Sequence, residues 1–229
     1  MKKKIRFFLD FDGTITLEDV VDALLERFAS KEWKQIEQDW VDGKIGSREC
    51  LARQIGLVEA SSDELETFLE TVHVDPHFAP FLEKAKDLGI QVTIVSDGFD
   101  RIIGPVLKRV FKEDPDLLLS LSVFCNSLEP QSKGFKAGFM TELCEHGCAN
   151  CKEEVIRDAR APGDVVVFVG DGHSDRYAAL EADEVFAKGA LLKFCTEHGV
   201  KHRAFSDFKE IETWMTAQKK PRSTAQIKV

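Results

Sequence analysis

Three short apolar runs, each closing on a small or acidic turn, constrain this chain more than any other feature. Ile5, Phe7, Phe8 and Leu9 lead into Asp10-Phe11-Asp12-Gly13-Thr14. Residues 91–95 lead into Ser96-Asp97-Gly98, and residues 164–169 into Gly170-Asp171-Gly172. Runs this short, rich in β-branched and aromatic residues, read as strands buried on both faces. Between the second and third runs, and after the third, apolar residues return at helical spacing: Ile102, Ile103, Val106 and Val110 are one set. Strand–helix alternation of this kind predicts an α/β fold, a doubly wound parallel sheet with a Rossmann-like core and right-handed crossovers. In such a sheet ligands bind in the crevice beyond the carboxyl ends of the strands, which is where the acids lie.

Residues 15–75 break the alternation. Val21, Leu24, Leu25 and Phe28 follow one helical stripe, and Trp33, Ile36 and Trp40 a second. Ser47 is placed to cap a third helix through Ile55, and Ser61-Ser62-Asp63-Glu64 has the form of a capping box for a fourth. With no strand among them, these helices form an inserted helical cap over the sheet's carboxyl edge. The expected organisation is an α/β core of residues 1–14 and 76–217, a helical cap of residues 15–75, and a disordered tail of residues 218–229.

Composition narrows the class. Charged residues make up 31% and hydrophobic residues 43% of the 229, the profile of a globular protein. A formal net charge of −9 argues against a nucleic-acid partner, which needs a basic face. No apolar run approaches the roughly 18 residues of a membrane span, and Met1-Lys2-Lys3-Lys4 is followed by too little apolar chain for a signal peptide. The expectation is a cytoplasmic protein with no membrane partner. Six cysteines in such a chain argue against a disulfide framework.

Asp10 and Asp12, two residues apart past a buried strand, are a poor means of holding a sheet together and a good means of holding Mg²⁺. An Asp carboxylate there is also a potential phosphoryl acceptor. An EF-hand reading fails, because its glycine would fall at Ile15 and its bidentate glutamate at Val21. A dinucleotide loop at Gly170-Asp171-Gly172 fails too, since the last glycine of that pattern would be Asp175. Ser96, Asp97 and Gly98, then Asp171 and Asp175, end the other two strands, and Lys152 opens a helix between them.

Taken in order, D-x-D-G-T at 10–14, Ser96, Lys152 and Gly170-Asp171-x-x-x-Asp175 resemble the four motifs of the haloacid dehalogenase superfamily of phosphatases. The position of the insert resembles the phosphoserine-phosphatase-like subgroup. The resemblance implies an Mg²⁺-dependent phosphomonoesterase acting on a small phosphorylated metabolite. Asp10 would be the nucleophile that becomes an aspartyl-phosphate, and Asp12 the general acid/base. Asp10, Asp171, the Asp12 carbonyl and Asp175 would hold the metal. Ser96 with the Asp97 and Gly98 backbone would hold phosphoryl oxygens, and Lys152 would neutralise charge.

More narrowly, residues 10–16, the Val95-Ser96-Asp97-Gly98 turn and the cysteine-rich approach to Lys152 look like the methionine-salvage branch. That branch acts on 2-hydroxy-3-keto-5-methylthiopentenyl-1-phosphate. Gly172-His173-Ser174 is closer to phosphoserine and phosphocholine-type relatives, so phosphoserine, phosphocholine-like and sugar phosphatases stand as alternatives. A non-catalytic phospho-metabolite-binding module is a rival of another class. Glu18 or Asp19 lies where phosphoserine phosphatases place a glutamate that reads a substrate amine, and Glu18 is taken as the substrate-binding candidate. Arg48 and Arg53 are candidates for a substrate carboxylate. Cys144, Cys148 and Cys151 form a C-x₃-C-x₂-C run open to three readings: a structural zinc site joined by His146 or Cys125, a redox pair beside Lys152, or the packing of a tight turn.

Overall fold

The computed structural model describes residues 4–219. Strand β1 (Lys4–Leu9) is followed by four helices, α1 (Val20–Phe28), α2 (Trp33–Val41), α3 (Ser47–Ile55) and α4 (Ser62–Leu69). Then come α5 (Phe78–Asp87), β2 (Gln91–Phe99), α6 (Asp100–Val110), a single turn α7 (Pro115–Leu118), β3 (Ser122–Pro130) and β4 (Phe135–Gly138). The remaining elements are α8 (Lys152–Ala159), β5 (Asp164–Gly170), α9 (Arg176–Glu181), β6 (Glu184–Ala187), α10 (Gly189–Glu197), β7 (Arg203–Ala204) and α11 (Phe208–Lys219). A 3₁₀ turn at His173–Asp175 precedes α9.

The seven strands form one sheet in the order β4-β3-β2-β1-β5-β6-β7. All neighbours are parallel except β3 and β4, a hairpin at the edge. Side chains alternate across it as the pleat requires. Phe7, Leu9, Val167 and Val169 enter one core with Phe78, Phe81, Ile103, Phe208 and Met215. Phe8, Val166 and Phe168 enter the other with Ile156, Ala178, Leu191 and Cys195. The strand order reverses at β1, between β2 and β5, and the crevice there is the expected ligand position.

The four-helix insert leaves and re-enters through one neck. Thr16 and Val74 form an isolated antiparallel bridge, with Leu17 N–H donating to the His73 carbonyl and Asp75 N–H to that of Ile15, each at 2.9 Å. The insert is amphipathic and shares the larger core through Leu24, Leu25, Ile55, Leu65 and Phe68. Arg109 of α6 donates to the carbonyls of Leu69 and Val72, tying the end of α4 to the core.

Several local readings change. The strand expected at 91–95 runs on through Phe99, with an irregular register against β3 between Val95 and Phe99. The short elements α7 and β7 gave too little periodicity to be read. The capping box at Ser61 and Glu64 is present, whereas Ser47 does not cap α3. Gly46 takes the cap position, and the Ser47 hydroxyl is used between other segments. Helix α11 extends to Lys219, and the rest of the tail expected to be disordered lies outside the described residues. Among the described residues no helix is long and apolar enough to cross a membrane.

Candidate active site

Asp10 follows β1 directly, and its N–H continues the pairing by donating to the Val169 carbonyl at 2.9 Å. Its side chain is therefore fixed at the sheet edge, buried to 5% exposure. Lys152, the first residue of α8, is equally buried, and its Nζ lies 2.6 Å from Asp10 Oδ1 and 2.6 Å from Asp175 Oδ1. The other oxygen of Asp175 accepts the N–H groups of Asp171 and Gly172 at 3.0 Å each. Asp171 Oδ1 accepts the Thr14 hydroxyl at 2.7 Å. The ends of β1 and β5 and the start of α8 thus converge on one point.

Asp12 has a different set of partners. One oxygen accepts the Val20 N–H and the other the Ser96 hydroxyl, both at 3.3 Å. Its carboxyl faces the insert while Asp10 faces Lys152. Ser96 is buried, and its Oγ also accepts the Gly98 N–H at 2.9 Å. The Asn150 amide donates to the carbonyls of Ser96 and Phe124, and the Asn126 amide to that of Asp97, which fixes the Ser96–Gly98 turn. Neither asparagine carries a spacing signal in the sequence.

Electrostatics follow from burial. Burial first, then repulsion from Asp175, raises Asp10 well above the usual carboxylate range despite Lys152. Asp12 is raised well above it too, by burial and by Asp19. Asp171 is raised to about 6 by burial and Asp175. Burial alone would lower the Lys152 ammonium, but Asp10, Asp175 and Asp97 outweigh it and keep it charged. Ionised together, the carboxylates would outnumber the one buried ammonium; that repulsion adds to burial in raising them, and a bound cation would relieve it. Oxygens of Asp10, Asp171 and Asp175 lie within 4.8 Å of one another. An all-oxygen, over-acidic donor set of this kind fits a hard divalent cation such as Mg²⁺.

The site opens into a cleft of about 280 Å³, closed on the far side by the insert. Asp19, Asp22, Glu37, Trp40, Cys50 and Gln54 face the core residues across it. Asp19 caps α1 by accepting the Asp22 N–H at 2.9 Å. Glu18 is not among the lining residues. Its carbonyl closes the preceding turn by accepting from Gly13 N–H and the Thr16 hydroxyl, and its exposed side chain points elsewhere. The acid at the start of α1 that lines the cleft is Asp19, joined by Asp22 and Glu37, which sequence reasoning missed. Crowding by burial raises all three, Asp22 to about 7.

Trp40 reaches the cleft and meets His173 edge-on at 5.3 Å. Trp33 is buried in the core, and Phe28 packs on Phe68. Arg48 and Arg53 are outside the cleft. Arg48 donates to backbone carbonyls of Thr141, Glu142 and Cys148, and Arg53 pairs with Glu49. The sulfurs of Cys144, Cys148 and Cys151 converge within 4.8 Å, a group that includes neither His146 nor Cys125.

The chain is similar to proteins of known name. A 2-hydroxy-3-keto-5-methylthiopentenyl-1-phosphate phosphatase of Geobacillus thermodenitrificans (strain NG80-2) is 31% identical over 216 residues, 92% of this chain and 95% of that protein. The bifunctional enzyme MtnB/MtnX of Bacillus licheniformis is 30% identical over 99% of this chain and 55% of its own length. A solved phosphoserine phosphatase, an analogue of its phospho-aspartyl intermediate, has the same fold. Its TM-score is 0.69 at 23% identity, over 93% of this chain and 99% of that one. The model of the haloacid dehalogenase-like hydrolase family matches residues 7–180, which carry β1, the insert, Lys152 and the Asp171 turn. On that match and on its named relatives, the chain belongs to the haloacid dehalogenase-like hydrolases and is a phosphatase.

Proposed function

We propose that this phosphatase hydrolyses a small phosphomonoester in two steps through an aspartyl-phosphate on Asp10, with Mg²⁺ as cofactor. The observation that carries the reading is the division of labour between the two acids past β1. Asp10 lies against Lys152, and Asp12 faces the cleft against Ser96 and Val20. Asp10, paired with the Lys152 ammonium and ionised once a bound cation offsets the acids around it, attacks phosphorus and forms the new P–O bond as the ester P–O bond breaks. Asp12, whose raised carboxyl holds a proton, gives it to the departing alkoxide. It then takes a proton from the water that attacks phosphorus and frees phosphate, which regenerates both acids. Lys152 stays charged and offsets the carboxylates as phosphoryl charge arrives. Mg²⁺, held by Asp10, Asp171, Asp175 and the Asp12 carbonyl, would supply further neutralisation of the phosphoryl oxygens.

We take residues 15–75 as a cap that closes over the site and selects the alcohol, in a cytoplasmic setting that keeps the six free thiols reduced. The substrate reading is 2-hydroxy-3-keto-5-methylthiopentenyl-1-phosphate, supported by the names of relatives at about 30% identity. A second reading, an amine-bearing ester such as phosphocholine or phosphoethanolamine, is favoured by Asp19, Asp22 and Glu37 on the cleft wall. The test is phosphate release from a panel of both classes, phosphoserine and sugar phosphates, with Mg²⁺ and with EDTA. A Mg²⁺-dependent preference for the enol phosphate supports the first reading, and preference for an amine ester the second. No release from any member refutes both.

A further inference from the structure

Between Gly138 and Lys152 the chain forms no helix or strand, yet it delivers Lys152 to its place between Asp10 and Asp175. An irregular segment this long inside a compact fold needs something to hold it. Apolar packing does little of that, since Met140 and Leu143 are 73% and 70% exposed. One support comes from α3. Arg48 binds three carbonyls of the segment through its guanidinium and donates its N–H to that of Gly147 at 3.0 Å. Ser47 Oγ accepts the Ala149 N–H at 2.8 Å. The Gly46 and Gly147 backbones come so close that a Cβ on Gly46 would stand 2.4 Å from the Gly147 carbonyl oxygen. The second support is the meeting of three sulfurs.

We propose that Cys144, Cys148 and Cys151 bind Zn²⁺ as thiolates, with a solvent oxygen in the fourth position, and that this staple sets the start of α8 and hence Lys152. Tetrahedral zinc with Zn–S bonds near 2.3 Å needs sulfurs about 3.8 Å apart, a small contraction of a group already within 4.8 Å. Sulfur donors select a soft or borderline metal over Mg²⁺, so this site and the carboxylate site do not compete for one ion. The backbone already turns a donor toward the group: Cys144 Sγ accepts the Cys148 N–H at 3.4 Å. Binding displaces three protons and leaves the cluster with one net negative charge. A disulfide would use two sulfurs and strand the third, and all six cysteines are free.

The decisive experiment measures metal in the intact, untagged chain purified without chelators or metal resin, by mass spectrometry of its elements. About one zinc per chain is expected, released when a mercurial reagent titrates the thiols. Cys148→Ser should lower bound zinc at least about tenfold, while Cys195→Ala, in the opposite core, retains it. Stripping zinc with Mg²⁺ in excess should speed amide exchange across residues 141–151. Wild-type chains without zinc, with all six thiols titrating in the native protein, would overturn the proposal. So would a disulfide within the trio, or full zinc in Cys148→Ser. If that variant fails to fold, the wild-type stoichiometry still decides. Zinc content does not depend on turnover, so a zinc-bearing chain without activity counts against the phosphatase mechanism alone, and a zinc-free phosphatase against this site alone.

Discussion

Gly98→Ala should cut kcat by about a hundredfold while leaving the fold in place. Gly98 lies in β2 directly behind the Asp12 carboxyl. A Cβ built there stands 2.5 Å from Asp12 Oδ2 and 3.1 Å from Ser96 Oγ, and no backbone atom is among its nearest neighbours. Ordinary contact begins at 3.4 Å, so Oδ2 must retreat by about 0.9 Å. That movement strains the 3.3 Å bond that Oδ2 accepts from Ser96 and, by turning the carboxyl, the 3.3 Å bond that Oδ1 accepts from the Val20 N–H. Misplacing an acid/base group by about 1 Å costs on the order of 10²-fold in kcat, or about 2.7 kcal/mol of transition-state stabilisation. The stability cost is smaller. An off-rotamer Asp12 costs about 0.5–1.5 kcal/mol, and the loss of glycine's freedom in the unfolded chain offsets about 0.4–1 kcal/mol. The melting temperature should move by no more than a few degrees. Steady-state phosphate release with saturating Mg²⁺ gives kcat and KM, and urea titration gives stability. If the alanine acts through Asp12, adding it to Asp12→Asn should cost little beyond Asp12→Asn alone. Wild-type kcat in a folded Gly98→Ala, or full additivity in the double variant, would refute the assignment of Asp12.

Three further outcomes follow from the same geometry. Asp10→Asn should abolish turnover at unchanged or higher melting temperature, because it removes the nucleophile and one charge from an overcrowded cluster; residual turnover near wild type would exclude an aspartyl-phosphate at this position. Thr14→Val deletes the 2.7 Å bond that orients Asp171 and should raise the Mg²⁺ concentration for half-maximal activity by roughly 10–100-fold, with little change in kcat at saturation; an unshifted Mg²⁺ titration would show that Asp171 is not a ligand. Asp22→Asn addresses pH. The folded-state value near 7 lies above the ordinary carboxylate value of 3.8, so the folded chain holds this proton more tightly than the unfolded chain. The stability this contributes is full below about 3.8 and is lost as pH rises through about 7. The asparagine variant should therefore match wild type in acid and gain on it towards pH 8; an equal difference at both ends, read by urea titration, would show that burial does not strain this carboxyl.

The readable part of this molecule is the part that local chemistry forces. Acids at the ends of buried strands have no structural use, so Asp10, Asp12 and Asp171 stood out, and the run of motifs through Lys152 placed them in one crevice. The insert was readable as helices but not as a binding wall. There a single residue of phase decides which acid lines the cleft. Asp19 spends its carboxyl on the α1 N-terminus and enters the cleft, while Glu18 spends only its carbonyl, on the turn before it. Asp22 and Glu37 sit on different helices and look like ordinary solvated charge until α1 and α2 are packed together. The same holds for the supports of the catalytic turn. Ser47 meets Asp97, Asn150 meets Ser96 and Arg48 meets Cys148 across 50, 54 and 100 positions of sequence. Each of these side chains is commonplace by itself, and each acts through a partner chosen by the sheet order. Ser47 shows the conflict directly. Its position before an amphipathic run suits a helix cap, but its hydroxyl donates to Asp97 at 2.9 Å and accepts from Ala149, and Gly46 caps the helix without a side chain. A cap contributes about 1 kcal/mol to one helix. The bridge instead joins the insert, the Ser96–Gly98 turn and the segment that carries Lys152, so a local preference has given way to the contact that assembles the site.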